Sequence, residues 1–113
     1  MIRVLVVDDQ QLLRQGLCSL LALSDKVEVA GQANDGLEAR DWLQANAGKV
    51  DVMLLDIRMP RMTGIELLNS LKQDGALLPT IMLTTFDDHE SLMGALSAGA
   101  KGYLLKDVSL ETL

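Results

Sequence analysis

Short apolar runs alternate along the chain with longer segments in which apolar residues recur every three or four positions. Short apolar runs bounded by polar residues are typical of strands that are buried on both faces of a sheet. The sequence therefore predicts strands at residues 2–7, 27–33, 50–55, 79–84 and 101–105.

The longer segments have the spacing of amphipathic helices, beginning with the leucines at positions 13, 17, 20 and 21. Three later segments open with a capping residue that precedes a glutamate by three positions, which is the arrangement of a capping box. These pairs are Asp35 with Glu38, Thr63 with Glu66, and Asp87 with Glu90. Gly75 is placed to end the third helix.

The alternation of strands and helices predicts an α/β fold with a doubly wound parallel sheet, right-handed crossovers and helices on both faces. A chain of 113 residues fits one such domain. Ligands of these sheets bind outside the carboxyl ends of the strands, where the strand order switches. Functional residues are therefore expected directly after the strands.

Polar residues do follow the predicted strands. They are Asp8 and Asp9 after the first, Asp56 at the end of the third, Thr84 and Thr85 at the end of the fourth, and Lys106 at the end of the fifth. Three converging carboxylates repel one another unless a cation joins them, and Mg²⁺ is the abundant hard cation with oxygen ligands. With Lys106 as a charge for a phosphoryl oxygen and Thr84 as a hydroxyl donor, the set predicts phosphoryl transfer through an aspartyl-phosphate.

Charge and cysteine content narrow the partners and the compartment. The formal net charge of −6 repels phosphate backbones, so we expect this chain alone to bind no nucleic acid. A single cysteine, Cys18, permits no internal disulfide and fits a reducing, cytoplasmic setting. Asp8 and Asp9 interrupt the N-terminal apolar run too early for a signal peptide or a membrane span, so no membrane association is expected.

Four stretches also carry a family resemblance. They are Val6-Val7-Asp8-Asp9, Leu55-Asp56-Ile57-Arg58-Met59-Pro60 with Gly64, Leu83-Thr84-Thr85-Phe86, and Gly102-Tyr103-Leu104-Leu105-Lys106. In their order and spacing they resemble the receiver domain of bacterial two-component response regulators, specifically the NarL/FixJ (LuxR-type) subfamily. The resemblance implies a five-stranded flavodoxin-like or CheY-like sheet of order 2-1-3-4-5.

The resemblance also implies the roles of the acidic residues. Asp56 would be the phosphoacceptor, and Asp8, Asp9, Asp56 and the backbone carbonyl of Arg58 would hold Mg²⁺. The phosphoryl donor would be a phosphohistidine on a sensor histidine kinase or a small acyl phosphate. The domain would catalyse only its own phosphorylation and dephosphorylation, and its altered surface would control a DNA-binding transcription-regulator domain that this chain lacks.

Thr84 and Lys106 would contact the phosphoryl group, by the same resemblance. Thr84 and Tyr103 would form a switch pair, in which the hydroxyl moves toward the phosphate and the ring turns inward behind it. Asp107 stands where many receivers have proline, and without proline a cis peptide after Lys106 costs about 3–4 kcal/mol. A trans peptide is therefore expected there.

A receiver of this type has a fifth helix, of which residues 109–113 could form barely one turn. One turn alone does not hold in water. A full helix that buries about four large apolar side chains would supply on the order of 6–12 kcal/mol. We therefore expect a domain that lacks most of its fifth helix and covers the exposed strip by self-association, by exchange of elements or by helix rearrangement.

Other interpretations stay open. Asp8 or Asp9 could simply cap the next helix, and Lys106 could be a solvated side chain. A haloacid-dehalogenase-type phosphatase would place its nucleophile in an Asp-x-Asp motif after the first strand and would need room for a cap. A flavodoxin-like binder of flavin or nucleotide would need a phosphate loop where Asp8-Asp9-Gln10-Gln11 stands. The intact acidic residues and Lys106 argue against a pseudo-receiver used only for protein contacts.

Overall fold

The computed structural model describes residues 1–57, 59, 61–84 and 89–105. Strands and helices alternate within them as the sequence predicted. The elements are β1 (Ile2–Val7), α1 (Gln11–Ala22), β2 (Val27–Ala33), α2 (Gly36–Ala45), β3 (Val52–Asp56), α3 (Gly64–Gln73), β4 (Thr80–Thr84), α4 (His89–Ser97) and β5 (Gly102–Leu105). None of the described helices is both long enough and apolar enough to cross a bilayer.

The strands lie parallel in one sheet of order β2-β1-β3-β4-β5, which confirms the predicted doubly wound fold. The chain leaves β1 toward β2 and then returns to form β3 on the other side of β1. The strand order therefore switches between β1 and β3. In such sheets the crevice at the carboxyl ends of the two strands at the switch is the usual ligand site.

Buried apolar side chains cover both faces of the sheet. Alternate residues of β1 point to opposite faces. Leu5 and Val7 belong to a cluster with residues of α2, α3 and α4. Val4 and Val6 belong to a second cluster with residues of α1. Because both faces are packed, the strand ends are a rigid support for the side chains that follow them.

The predicted caps of α2 and α3 and the predicted end of α3 are confirmed. The side chain of Asp35 accepts a hydrogen bond of 2.9 Å from the amide of Glu38 and caps α2. Thr63 and Glu66 form the reciprocal capping box of α3, with bonds of 3.2 and 3.0 Å. Gly75 follows the C-cap of α3 with a φ of 68°, a left-handed conformation that favours glycine.

The strands β3 and β4 begin later than the sequence predicted, β3 because of a contact distant in sequence and β4 because of the adjacent proline. β3 begins at Val52 and not at residue 50. Asp51 is bound instead by Arg3 of β1, whose backbone amide and guanidinium both donate to its carboxylate. β4 begins at Thr80, because Pro79 has no N–H with which to extend the ladder.

Two further predictions concern residues outside the described part of the chain. These are Asp87, the expected cap of α4, and residues 109–113, the expected start of a fifth helix. The expectation of self-association is based on the strip that a full fifth helix would cover, and it stays a prediction. Multi-angle light scattering at micromolar concentration measures the oligomeric state directly.

The pairing of Arg3 with Asp51 predicts a dependence of stability on acid pH. Hydrogen bonds from the side chain and the backbone of Arg3 lower the pKa of Asp51 to about 2. Because the unfolded chain has the higher pKa, about 3.9, it binds more protons in acid. The contribution of Asp51 to stability is therefore complete above about pH 4 and is lost as the pH falls toward 2.

Asp51→Asn should accordingly flatten the fall in the free energy of unfolding between about pH 4 and pH 2. Urea unfolding at a series of pH values measures this slope. The matched control is Asp41→Asn, which changes an exposed carboxylate on α2. Equal slopes for wild type and Asp51→Asn would contradict the assigned role of the Arg3 pairing.

Candidate functional site

Two of the predicted site carboxylates lie side by side because β1 and β3 are neighbours. The register pairs Val7 with Leu55, so Asp8 and Asp56 come next along the two strands. Both are buried: Asp8 is 0% exposed and Asp56 is 4% exposed. Asp9 is exposed and stands at the rim of the same crevice. The prediction that Asp8, Asp9 and Asp56 converge is confirmed.

The three carboxylates fit a single hard cation. One oxygen from each of Asp8, Asp9 and Asp56 lies within 4.8 Å of the other two. Mg²⁺ binds oxygen at about 2.0–2.1 Å, so opposite ligands in its octahedron stand about 4.2 Å apart. Small side-chain rotations would bring the three oxygens onto one ion. Carboxylate oxygens are the ligands that hard divalent cations prefer, so the donor set also fits a bound cation.

Hydrogen bonds hold both the backbone and the side chain of Asp8. Its amide donates to the carbonyl of Ala33 at 3.1 Å, and its Oδ1 accepts from the amide of Gln10 at 2.8 Å. Gln10 is the N-cap of α1, and no side-chain capping bond is present there. The alternative in which Asp8 or Asp9 serves as the helix cap is therefore not borne out. The side chain of Asp8 instead fixes the turn between β1 and α1.

A hydrogen bond and a close backbone approach bring the start of α3 against the end of β3. The amide of Gly64, the first residue of α3, donates to the carbonyl of Ile57 at 2.8 Å. A Cβ on Gly64 would overlap the carbonyl oxygen of Asp56 and lie 3.1 Å from the Cα of Ile57. Glycine at this position therefore lets the helix begin directly against the backbone of the buried aspartate.

An ion pair between the exposed side chain of Arg61 and the buried carboxylate of Asp35 joins the segment before α3 to the start of α2. Arg61 has a φ of 65°, and its Nε donates to Asp35 Oδ2 at 2.7 Å. The Asp35 side chain is only 6% exposed. Burial by itself raises the pKa of Asp35, but the hydrogen bonds from Glu38 and Arg61 more than offset burial, and the pKa lies below its ordinary value. The amide of Gly36 adds a 3.2 Å bond to the carbonyl of Met62.

The remaining predicted site residues are placed only in part. Thr84 ends β4 opposite Leu105, so its backbone lies at the same edge of the sheet as Asp56. Lys106 and Arg58 lie outside the described residues. Tyr103 lies on β5 and is 51% exposed.

Two arginines near the site are not among the sequence predictions. Arg61 makes the ion pair with Asp35, and Arg14 of α1 is buried beside Asp8. Arg14 does carry a signal in the sequence, because a cation there interrupts the apolar stripe that continues to Leu17 and Leu21. Arg61 carries no comparable signal, since its partner lies 26 residues earlier in the chain.

The fold and the acidic crevice together define a class of protein: a doubly wound parallel-sheet domain with a cluster of carboxylates at its switch point that could hold a cation. The family model described as the response regulator receiver domain matches residues 4–113. The chain therefore belongs to the response regulator receiver family.

Similar proteins include transcription regulators of two-component systems. The nitrate/nitrite response regulator protein NarP of Escherichia coli is 42% identical over 111 residues, which cover 98% of this chain and 51% of NarP. The transcriptional regulatory protein DesR of Bacillus subtilis is 42% identical over 113 residues, which cover all of this chain and 55% of DesR. The chain thus spans about half the length of the curated relatives it matches.

Solved structures with a similar fold also come from response regulators. The receiver domain of the response regulator NarL from Mycobacterium tuberculosis aligns with a TM-score of 0.86 and 35% identity, over 97% of this chain and 87% of that one. A DNA-binding response regulator of the LuxR family from Staphylococcus aureus aligns with a TM-score of 0.87 and 28% identity, over 99% of this chain and 92% of that one. The resemblance to NarL/LuxR-type response regulators is confirmed.

Proposed function

We propose that this chain is the phosphoacceptor domain of a two-component response regulator and that Asp56 accepts the phosphoryl group. The convergence of Asp8, Asp9 and Asp56 at the switch point carries the proposal. Asp56 is the member of this group that ends the central strand β3 and lies level with β4 and β5, which lead to Thr84 and Lys106. The donor is a sensor histidine kinase in the cytoplasm or a small acyl phosphate, and the output is a DNA-binding transcription-regulator domain.

The proposed reaction moves one phosphoryl group. A carboxylate oxygen of Asp56 forms a bond to phosphorus, and the bond from phosphorus to the donor nitrogen or oxygen breaks. The electron pair of that bond leaves with the imidazole of the kinase or with the carboxylate of the acyl phosphate. Asp8, Asp9 and the carbonyl of Arg58 would hold Mg²⁺ with Asp56. When bound, the ion would neutralise charge on the phosphoryl oxygens.

Incubation with acetyl phosphate tests this function without the unidentified kinase. Intact mass spectrometry should detect one added phosphoryl group in the presence of Mg²⁺ and none when the metal is chelated. A protein that stays unlabelled at every Mg²⁺ and acetyl phosphate concentration would support the alternative of a domain used only for protein contacts. No observation favours the phosphatase or the flavodoxin-like alternative, since Asp8 and Asp9 are adjacent and occupy the position of a phosphate loop.

Magnesium should stabilise the fold through Asp9. A ligand that binds only the native state raises the free energy of unfolding by about 1.4 kcal/mol at ten times its Kd and about 2.7 at a hundred times. Asp9→Ala should remove this gain and leave the metal-free protein at least as stable, because one of three like charges is gone. Urea unfolding with and without Mg²⁺ measures both effects.

Asp25→Ala is the matched control for Asp9→Ala, because Asp25 is exposed in the turn between α1 and β2. It should keep the full response to Mg²⁺. If Asp9→Ala strongly destabilised the metal-free protein, the role of Asp9 would be structural and the metal assignment would lose its support.

Phosphorylation should alter the surface of β5 and α4. We expect Thr84 to move toward the phosphoryl group and Tyr103, which is 51% exposed in the structure, to turn inward behind it. Tyr103 is the only tyrosine of the chain, so its ring signals in NMR spectra report on it without ambiguity. Beryllofluoride with Mg²⁺ should shift these signals and the amides of residues 87–105, and Asp56→Asn should abolish the shifts. Shifts confined to the metal ligands would contradict a transmitted change.

A further inference from the structure

Arg14 is a buried cation on a helix face that is otherwise apolar. It is 8% exposed and lies on the stripe of α1 that also contains Leu17 and Leu21. Burying a guanidinium is unfavourable unless its donors are satisfied. The hydrogen bonds that Arg14 donates therefore indicate its role in the structure.

The guanidinium of Arg14 joins the carboxyl ends of β1 and β2. Its Nη1 donates to the backbone carbonyl of Asp8 at 2.7 Å and also to Oδ1 of Asn34. Its Nε donates to Oε1 of Gln32 at 3.1 Å. These acceptors are neutral oxygens, and the planar fork of arginine reaches them from two nitrogens, whereas the ammonium of lysine would have to reach all of them from one.

The bond to the Asp8 carbonyl fixes the peptide plane between Asp8 and Asp9. A peptide unit is planar, so holding its carbonyl also sets the direction in which the next residue leaves. The amide of Asp8 is already bound to Ala33, and its side chain to Gln10. Arg14 adds the constraint at the Asp9 side of this peptide, where the carboxylate is exposed.

We propose that Arg14 is a positioning residue that aligns the Asp8–Asp9 pair for the cation and so sets the affinity of the site for Mg²⁺. The inference rests on the proposed function, because it takes the acidic group to be a Mg²⁺ site. The charge of Arg14 acts against the same ion by repulsion. Geometry and charge therefore have opposite effects on affinity, and a test must keep one while it changes the other.

Arg14→Lys keeps the charge and removes the fork. Loss of a partner that orients a metal ligand typically weakens binding by about 10–100-fold, so the Kd for Mg²⁺ should rise by about ten-fold or more. The Kd is measured by NMR titration of the folded protein with Mg²⁺ alone, without phosphorylation. A role in folding stability only would leave this Kd unchanged. Labelling by acetyl phosphate should then recover toward the wild-type rate at saturating Mg²⁺.

Leu17→Val is the control for disturbed packing of α1, because Leu17 is buried one turn further along the same stripe. It should lower stability and leave the Kd for Mg²⁺ as in wild type. If Arg14→Lys does not fold, a double variant at the exposed acceptors, Gln32→Ala with Asn34→Ala, releases the guanidinium from its β2 partners. This double variant should weaken Mg²⁺ binding in the same direction but to a smaller extent.

The outcomes separate the inference from the function on which it rests. If wild type binds no Mg²⁺, the proposed function fails whatever Arg14 does. If wild type binds Mg²⁺ through Asp9 but Arg14→Lys, or the double variant in its place, binds as tightly as wild type, the function stands and the positioning role of Arg14 is overturned.

Discussion

Asp56→Asn should abolish labelling by acetyl phosphate and leave the protein folded. Asparagine has nearly the shape of aspartate, so the packing around this buried position should survive the substitution. The amide nitrogen and oxygen of asparagine are too poor as nucleophiles to accept a phosphoryl group. Intact mass spectrometry in the presence of Mg²⁺ should therefore show only the unmodified variant.

The same substitution should raise the stability of the metal-free protein. The Asp56 carboxylate is 4% exposed and lies within 4.8 Å of oxygens from Asp8 and Asp9. Removing one of three close negative charges relieves repulsion on the order of 1–3 kcal/mol at the effective dielectric constant of such sites. Urea unfolding in a chelator measures the gain, and added Mg²⁺ should stabilise the variant less than wild type.

Asp74→Asn is the control for Asp56→Asn, because Asp74 is exposed at the far end of α3. It should take up one phosphoryl group as wild type does. Labelling of Asp56→Asn at the wild-type rate would mean that another residue is the acceptor, and peptide mapping would then identify it.

Local signals were sufficient to predict the elements that support this site. Asp35 and Thr63 cap α2 and α3 as their spacing from the following glutamates indicated. The meeting of Asp8 with Asp56 followed from topology alone, since parallel neighbours end at one edge of a sheet. These features depend on short sequence patterns or on strand order, and both can be inferred from the sequence alone.

Contacts between distant segments could not be predicted in the same way. Arg3 and Asp51 are 48 residues apart, and their pairing shortens β3 at its start. Arg14 reaches residues of β2 that lie 18 and 20 positions away. Whether two such side chains meet depends on the distance between their elements in the packed domain. The hydrophobic pattern of each element does not determine that distance.

Gly64→Ala should destabilise the protein and impair the site together, against the intrinsic preference of helices for alanine. Alanine is favoured over glycine inside a helix by about 1 kcal/mol. Here an added Cβ would overlap the carbonyl oxygen of Asp56 and lie 3.1 Å from the Cα of Ile57. Both are backbone atoms and cannot rotate away, so steric overlap should outweigh propensity. A net loss of about 1–3 kcal/mol is expected from overpacking of this kind.

The shift needed to accommodate the methyl group should also reach the phosphoacceptor. Relieving the overlap requires either the backbone of Asp56 to move out of register with Asp8 or the start of α3 to move away and weaken the bond from Gly64 to Ile57. A displacement near 1 Å at a reacting group can lower a rate by about 100-fold. Labelling by acetyl phosphate should therefore be at least ten-fold slower in Gly64→Ala, measured at a temperature where circular dichroism shows it folded.

Gly16→Ala is the matched control for Gly64→Ala, since it makes the same chemical change inside α1, where no described atom beyond the adjacent residues and the helix's own backbone lies within 4 Å of the added Cβ. With no overlap to oppose propensity, it should stabilise the protein by about 0.5–1 kcal/mol and leave labelling unchanged. The two variants should thus move stability in opposite directions. If Gly64→Ala gained stability as Gly16→Ala does and was labelled at the wild-type rate, the close approach of α3 to the Asp56 backbone would not constrain the site.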